Sequence, residues 1–162
     1  MAVLKILTSQ NPVLRKTSKP VAKVTKEIRK LAADMEETLR VAPGIGLAAP
    51  QVGELLRVIV ADIGDGLYVL INPKIVKKSG TQELIEGCLS LPGIEAPVER
   101  ANKVTVKAMD INGKRIQVEA CDLLATVFQH EIDHLDGRLF VDRVNDPNLI
   151  GYRPKTPKEE AI

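Results

Sequence analysis

The chain predicts an α+β fold, with mostly antiparallel β-sheets packed around a central helix that carries an H-E-x-x-H pattern and a second helix near the N-terminus. Three observations support this. Helical periodicity appears in only two segments, one early and one late. The stretches between them are rich in β-branched residues and are punctuated by Gly, Pro, Asn and Asp. Asn112-Gly113 also separates two runs that alternate apolar and polar residues, a strong short-range hairpin signal.

The early helix is "TKEIRKLAADMEETLR", in which Ile28, Leu31, Ala32, Met35 and Leu39 recur at helical spacing and Thr25 stands where an N-cap would. "VAPGIGLAAPQVG" follows, and its Pro and Gly predict a loop with exposed backbone. "LLRVIVAD" and "LYVLINP" predict strands, ended by "DIGDG" and by "NP". "KVTVKAMD" and "RIQVEA" predict the two arms of the hairpin. The late helix is expected from about Asp122, as N-cap, to near Leu135, with Gly137 at the C-cap. Beyond Gly151, "YRPKTPKEEAI" is charged and broken by proline. The expected organisation is one domain over residues 1–150 and a loose polar tail over 151–162.

The chain has 162 residues, enough to bury a core without disulfide staples. Lys and Arg number 23 and Asp and Glu 21, a net charge of +2. So even a balance argues against a nucleic-acid or membrane footprint. Two Phe, two Tyr and no Trp argue against a base-stacking surface. No apolar run approaches the roughly 20 residues of a membrane span. The first residues, "MAVLKILTSQNP", lack the apolar stretch of a secretory signal. Cys88 and Cys121 are then expected to be reduced thiols inside a cell.

"QHEIDH", residues 129–134, contains both histidines of the chain, His130 and His134. On a helix, Leu123, Val127, His130 and His134 form one stripe, and Leu124, Phe128, Glu131 and Leu135 form the next. Two imidazoles and a carboxylate thus interrupt an apolar face that should be buried. An ionised carboxylate there is expensive unless a partner compensates it. A divalent cation does so, and His at i and i+4 present two imidazoles to one ion. The same pattern supports catalysis, because a metal lowers the pKa of water and the Glu accepts its proton.

A third ligand must come from upstream, since no third histidine exists and Glu159 and Glu160 lie in the tail. Carboxylates and thiolates are the candidates. Cys88, in "EGCLSLPG", is favoured by the flanking glycine that allows close backbone approach. Cys121 lies more than two helical turns from the histidines and reads as a small buried hydrophobe.

"GIGLAAPQ" (residues 44–51), "EGCLS" (86–90) and "QHEIDH" resemble, in order, the three signature motifs of peptide deformylases. The resemblance spans more than half of the chain. It implies an iron-dependent hydrolase, with Zn, Ni or Co as possible substitutes, that removes the formyl group from the initiator methionine of nascent polypeptides and releases formate. It carries over Cys88, His130 and His134 as ligands of one Fe(2+), with water in the fourth position. Glu131 becomes the general acid/base. The Gln51 side-chain amide and the Leu89 backbone N–H become oxyanion donors, and Gly46 lets backbone pair with an extended substrate. Ile45, Leu84, Leu123 and Val127 would offer the apolar walls that a methionine thioether favours. Glu86 and Asp133 are polar neighbours able to orient a ligand.

The resemblance further implies formyl-methionyl nascent peptides as partners, transient association with the ribosome, a monomer, and a bacterial-type cytoplasmic location, or an organelle after loss of a transit peptide. Two features depart from it. Glu95 lies in the stretch after "EGCLS" where some relatives place an arginine, and the long C-terminal helix of some relatives is missing. Two other readings compete: a metallopeptidase that cuts internal amide bonds, and a module whose metal is purely structural. The absent third histidine and the "EGCLS" segment count against the first. A structural site closes all four positions with protein ligands, which leaves Glu131 without a task.

Overall fold

A computed structural model describes residues 1–160. The elements run α1 (Lys26–Val41), β1 (Gly46–Ala48), β2 (Val58–Ala61), β3 (Tyr68–Ser79), β4 (Gln82–Cys88), β5 (Leu91–Arg100), β6 (Lys103–Met109), β7 (Arg115–Cys121), α2 (Asp122–Leu135), β8 (Gly151–Tyr152) and α3 (Pro157–Glu160). One sheet has five strands in the order β1-β2-β3-β6-β7, the other three in the order β4-β5-β8, and every ladder is antiparallel. The α+β expectation therefore holds.

At β2 both faces of the larger sheet are buried. Ile59 and Ala61 pack with Leu124, Val127, Phe128 and Leu135 of α2, whereas Val58 and Val60 pack with Ile28, Met35 and Leu39 of α1. A short strand with "VIVA" suits this, since each face needs apolar residues of alternate parity. α1 starts as expected, with the Thr25 hydroxyl accepting from the Ile28 N–H at 3.3 Å. It stops where Pro43 forces Ala42 into an extended conformation. The hairpin also forms as expected, although its turn is closed by Asp110, whose carboxylate accepts from Asn112 and Lys114 N–H groups.

Five expectations are corrected. "GIGLAAPQ" is not an exposed loop, because Gly46, Leu47 and Ala48 pair with β2 and lie buried against α2. β3 does not end at "NP". Asn72 takes a left-handed conformation (φ 52°) and its side chain bonds both the N–H and the carbonyl of Val21, so the strand bulges and continues. The N-cap of α2 is Cys121 and not Asp122, whose carboxylate instead accepts from Asn102 Nδ2 at 2.8 Å. Cys121, extended at the end of β7, is exposed rather than a buried hydrophobe.

The fifth correction is the tail, over its residues 151–160, since residues 161 and 162 lie outside the described residues. Gly151 and Tyr152 pair with Glu95 and Ile94 of β5, extending the smaller sheet. Arg153 then donates to both carboxylate oxygens of Glu159, at 2.8 and 2.6 Å, and Glu159 also accepts from the Thr156 N–H. Composition could not show this, because the segment is held by polar pairing and not by apolar burial. The guanidinium of Arg153 holds the Glu159 carboxyl down at about 2. A carboxyl lowered on folding stabilises above its ordinary range, near 4.5, and that contribution fades as pH falls toward 2. The latch is thus intact at neutral pH. Glu159→Gln is expected to raise the rate of proteolytic cleavage within residues 151–160 at pH 8 while the melting of the domain shifts by a few degrees at most. Limited proteolysis followed by mass analysis of the fragments checks this. An unchanged cleavage rate would show that the strand pairing alone holds the segment.

Candidate metal centre

Two elements converge on the site. α2 is buried from Leu124 to Leu135, and its last two turns present His130, Glu131 and His134. The β4–β5 hairpin turns tightly through Leu89 and Ser90, and this turn delivers Cys88 to the same spot. One donor atom each from Cys88, His130 and His134 lies within 4.8 Å of the others. Cys88 Sγ is 3.4 Å from His134 Nε2. Among the described residues no other group of three or more such side chains gathers in this way.

The site opens onto a cleft of about 360 Å³. Ten of the eleven candidate site residues line it, namely Ile45, Gly46, Gln51, Leu84, Cys88, Leu89, Leu123, Val127, His130 and Glu131, and the deepest donor, His134, sits behind them at 1% exposure. Leu123 shares a helical stripe with Val127 yet is 43% exposed, since it faces the cleft and not the core.

Electrostatics favour a cation here. His130 Nδ1 lies 2.8 Å from Glu86 Oε1. With that carboxylate ionised, the proton belongs on Nδ1 and Nε2 keeps its lone pair. Burial disfavours charge on both imidazoles. It prevails at His134, whose pKa is lowered, with the His130 charge adding to it. At His130 the nearby Glu131, Cys88 and Glu86 overcome burial and raise the pKa. A pocket that draws positive charge to a buried ring suits a metal ion. Nitrogen and sulfur donors of this kind admit zinc, iron, cobalt or nickel.

Glu131 is 4% exposed, and burial raises its pKa to about 7 against the opposing pull of His130. Its Oε1 has no hydrogen-bond partner among the described residues. Its Oε2 touches Gly46 so closely that a β-carbon there would collide with it and with Val127 Cγ1. Gly46 therefore lets β1 approach the carboxylate. Gln51 is oriented by its own turn, with Oε1 accepting from the Ala48 N–H at 2.9 Å. Its amide nitrogen is thereby turned toward Ser90 Oγ (3.1 Å) and Cys88 Sγ (3.7 Å), at the edge of the donor cluster.

Several supporting residues were absent from the sequence reading. Arg100, 5% exposed, donates twice to Glu86 at 2.6 and 2.9 Å and once to Asp133 at 3.0 Å. Arg143 donates to both carboxylate oxygens of Asp133, sharing Oδ2 with Arg100. Phe140 stacks on His130 with ring centres 5.9 Å apart. Glu86 does orient a candidate ligand directly, as expected, whereas Asp133 acts at one remove through Arg100.

Two imidazoles, a cysteine sulfur and a buried carboxyl group around an open cleft define a class, the metal-dependent hydrolases of α+β fold with a single metal site. A family model described as polypeptide deformylase matches residues 3–149. The peptide deformylase of Symbiobacterium thermophilum is 53% identical over 165 residues, covering 100% of this chain and 76% of that protein. The crystal structure of peptide deformylase from Thermotoga maritima superposes with a TM-score of 0.88 at 40% identity, covering 90% of this chain and 100% of that one. The structure from Thermus thermophilus gives 0.84 at 43% identity and covers 98% and 90%. The chain belongs to the peptide deformylase family. Its activity is metal-dependent removal of the formyl group from an N-terminal methionine.

Proposed function

We propose that Cys88, His130 and His134 hold one Fe(2+), with zinc, nickel or cobalt able to replace it, and that Glu131 moves the proton in deformylation. The carrying observation is the meeting of three donor atoms within 4.8 Å beside a buried, unpartnered carboxylate oxygen. The ion, when bound, supplies a Lewis acid that polarises the formyl carbonyl and makes water acidic enough to react near neutral pH.

Glu131 accepts the proton of the attacking water and returns it to the amine as the carbon–nitrogen bond breaks, so formate and a free methionine amine leave. The amide nitrogen of Gln51 and the backbone N–H of Leu89 donate to the carbonyl oxygen as it becomes negative. Gly46 offers backbone to the peptide, and Leu84, Leu123, Val127 and Ile45 take the methionine side chain. Glu86 fixes the tautomer of His130, and Arg100 fixes Glu86. The same reading makes the enzyme a cytoplasmic monomer that meets nascent chains at the ribosome. No helix among the described residues is long and apolar enough to cross a membrane.

The test is anaerobic purification, metal analysis and an assay of formate release from a formyl-methionyl tripeptide. Formate is expected, with little cleavage of an unblocked peptide. Cys88→Ser should lose both metal and activity, whereas Cys121→Ser, exposed and remote, should keep both. Loss of metal in Cys121→Ser with retention in Cys88→Ser would reverse the assignment.

A further inference from the structure

Glu95 lies directly across the β4–β5 ladder from Gly87, the residue before Cys88. Opposed residues of an antiparallel ladder have Cα atoms roughly 4.5–5.5 Å apart, so Glu95 stands next to the donor cluster. Glu95, Arg153 and Glu159 line the same cleft as His130 and Glu131. Arg153 is brought there by the C-terminal segment, whose Gly151 pairs with Glu95 and whose Arg153 N–H donates to the Gly93 carbonyl at 2.8 Å.

The three charges do not cancel. Both terminal nitrogens of Arg153 are committed to Glu159, while its Nε is 3.8 Å from Glu95 Oε2, beyond hydrogen-bond reach. The Glu159 side chain is 3% exposed and that of Glu95 is 43% exposed. One cation thus faces two anions, and the surplus negative charge sits on the exposed carboxylate. Among the described residues lining the cleft there is no lysine, and Arg153 is the single arginine. Glu86, the other acidic group of the hairpin at the cleft, is consumed by Arg100 and His130.

A peptide whose formyl carbon reaches the donor cluster and whose methionine side chain fills the apolar wall must lead its next residues out along the open cleft. We propose that Glu95 is a specificity-determining residue that favours formyl-methionyl peptides with a basic side chain shortly after the methionine and disfavours acidic ones. This rests on the cleft being the deformylation site proposed above. Arg153 and Glu159 are positioning residues: by satisfying each other they leave Glu95 free to meet substrate.

The experiment compares kcat/KM for formyl-Met-Ala-Ala with peptides carrying Lys or Glu in place of either alanine. The lysine peptide is expected to exceed the glutamate peptide by at least about threefold at one of the two positions, the scale of an exposed charge pair. The ratio should shrink at high salt. Glu95→Gln should bring it to about one, and Glu95→Lys should invert it. A wild-type ratio near one, or a ratio that survives Glu95→Gln, overturns the proposal while formyl-Met-Ala-Ala is still deformylated. No formate from formyl-Met-Ala-Ala with metal bound would instead overturn the reading of the cleft on which it depends.

Discussion

Glu131→Gln is expected to retain one metal ion per chain and a native fold, yet to lose at least about a hundredfold in turnover. The geometry separates Glu131 from the donors. Cys88, His130 and His134 bring their donor atoms together, whereas Glu131 sits at the cleft floor with Oε2 against Gly46 and Oε1 unpartnered. A glutamine keeps the shape, so Val127 and Gly46 retain their contacts, but it cannot take a proton from water. The melting temperature should not fall, because the variant no longer buries an ionisable group beside apolar neighbours. His130→Ala and His134→Ala should behave differently and lose metal and activity together. Metal content and formate release measured on the same preparations decide between these outcomes. An active Glu131→Gln enzyme with bound metal would remove Glu131 from the proton path.

The contrast between this glutamate and its surroundings also shows what could be read before any coordinates. Helical spacing put His130, His134 and Glu131 on a face shared with Val127 and Phe128, and the cost of an isolated buried carboxylate made the patch conspicuous. Local context favoured Cys88 over Cys121, but nothing in spacing alone could bring residue 88 to residue 134. The three motifs together supplied that link, as a resemblance and not as a geometric deduction.

The β4–β5 hairpin was missed for a physical reason. Its strands carry Glu83, Glu86, Glu95 and Glu99 with Pro92 and Pro97, so they lack the alternation of a half-buried strand. The last strand and short helix were missed because Arg153 and Glu159 hold them through charge, which composition reports as looseness. Glycine and proline punctuate β1 and give its sequence the character of a loop, although its backbone is buried between β2 and α2. One further signal was available: Ala96, Val98 and Arg100 share the inward parity of β5, and a buried arginine demands buried carboxylates.

Arg100 carries the second large expected effect. Replacing it with methionine should destabilise the protein by about 3 kcal/mol or more. The arginine is buried, and it is the one group that joins Glu86 and Asp133. Burial alone would push both carboxyls up, but hydrogen bonds and charge from Arg100, with His130 and Arg143 at their respective carboxylates, hold them below their ordinary values. Methionine fills similar space and leaves Glu86 with His130 as its remaining partner, and Asp133 with Arg143. The cost is that of an uncompensated buried charge, not of a lost cavity wall. Arg143→Met should cost clearly less, since the Arg143 side chain is 36% exposed and water can replace its hydrogen bonds at Asp133. A second consequence reaches the metal. Glu86 orients His130, so freeing Glu86 from Arg100 lets that ring turn, and metal affinity should fall by roughly 10–100-fold. Urea unfolding with an unchanged slope, together with metal competition against a chelator, measures both effects. Equal stability losses for Arg100→Met and Arg143→Met, with unaltered metal affinity, would show that His130 is held by its packing on Phe140 rather than by the chain of charges behind it.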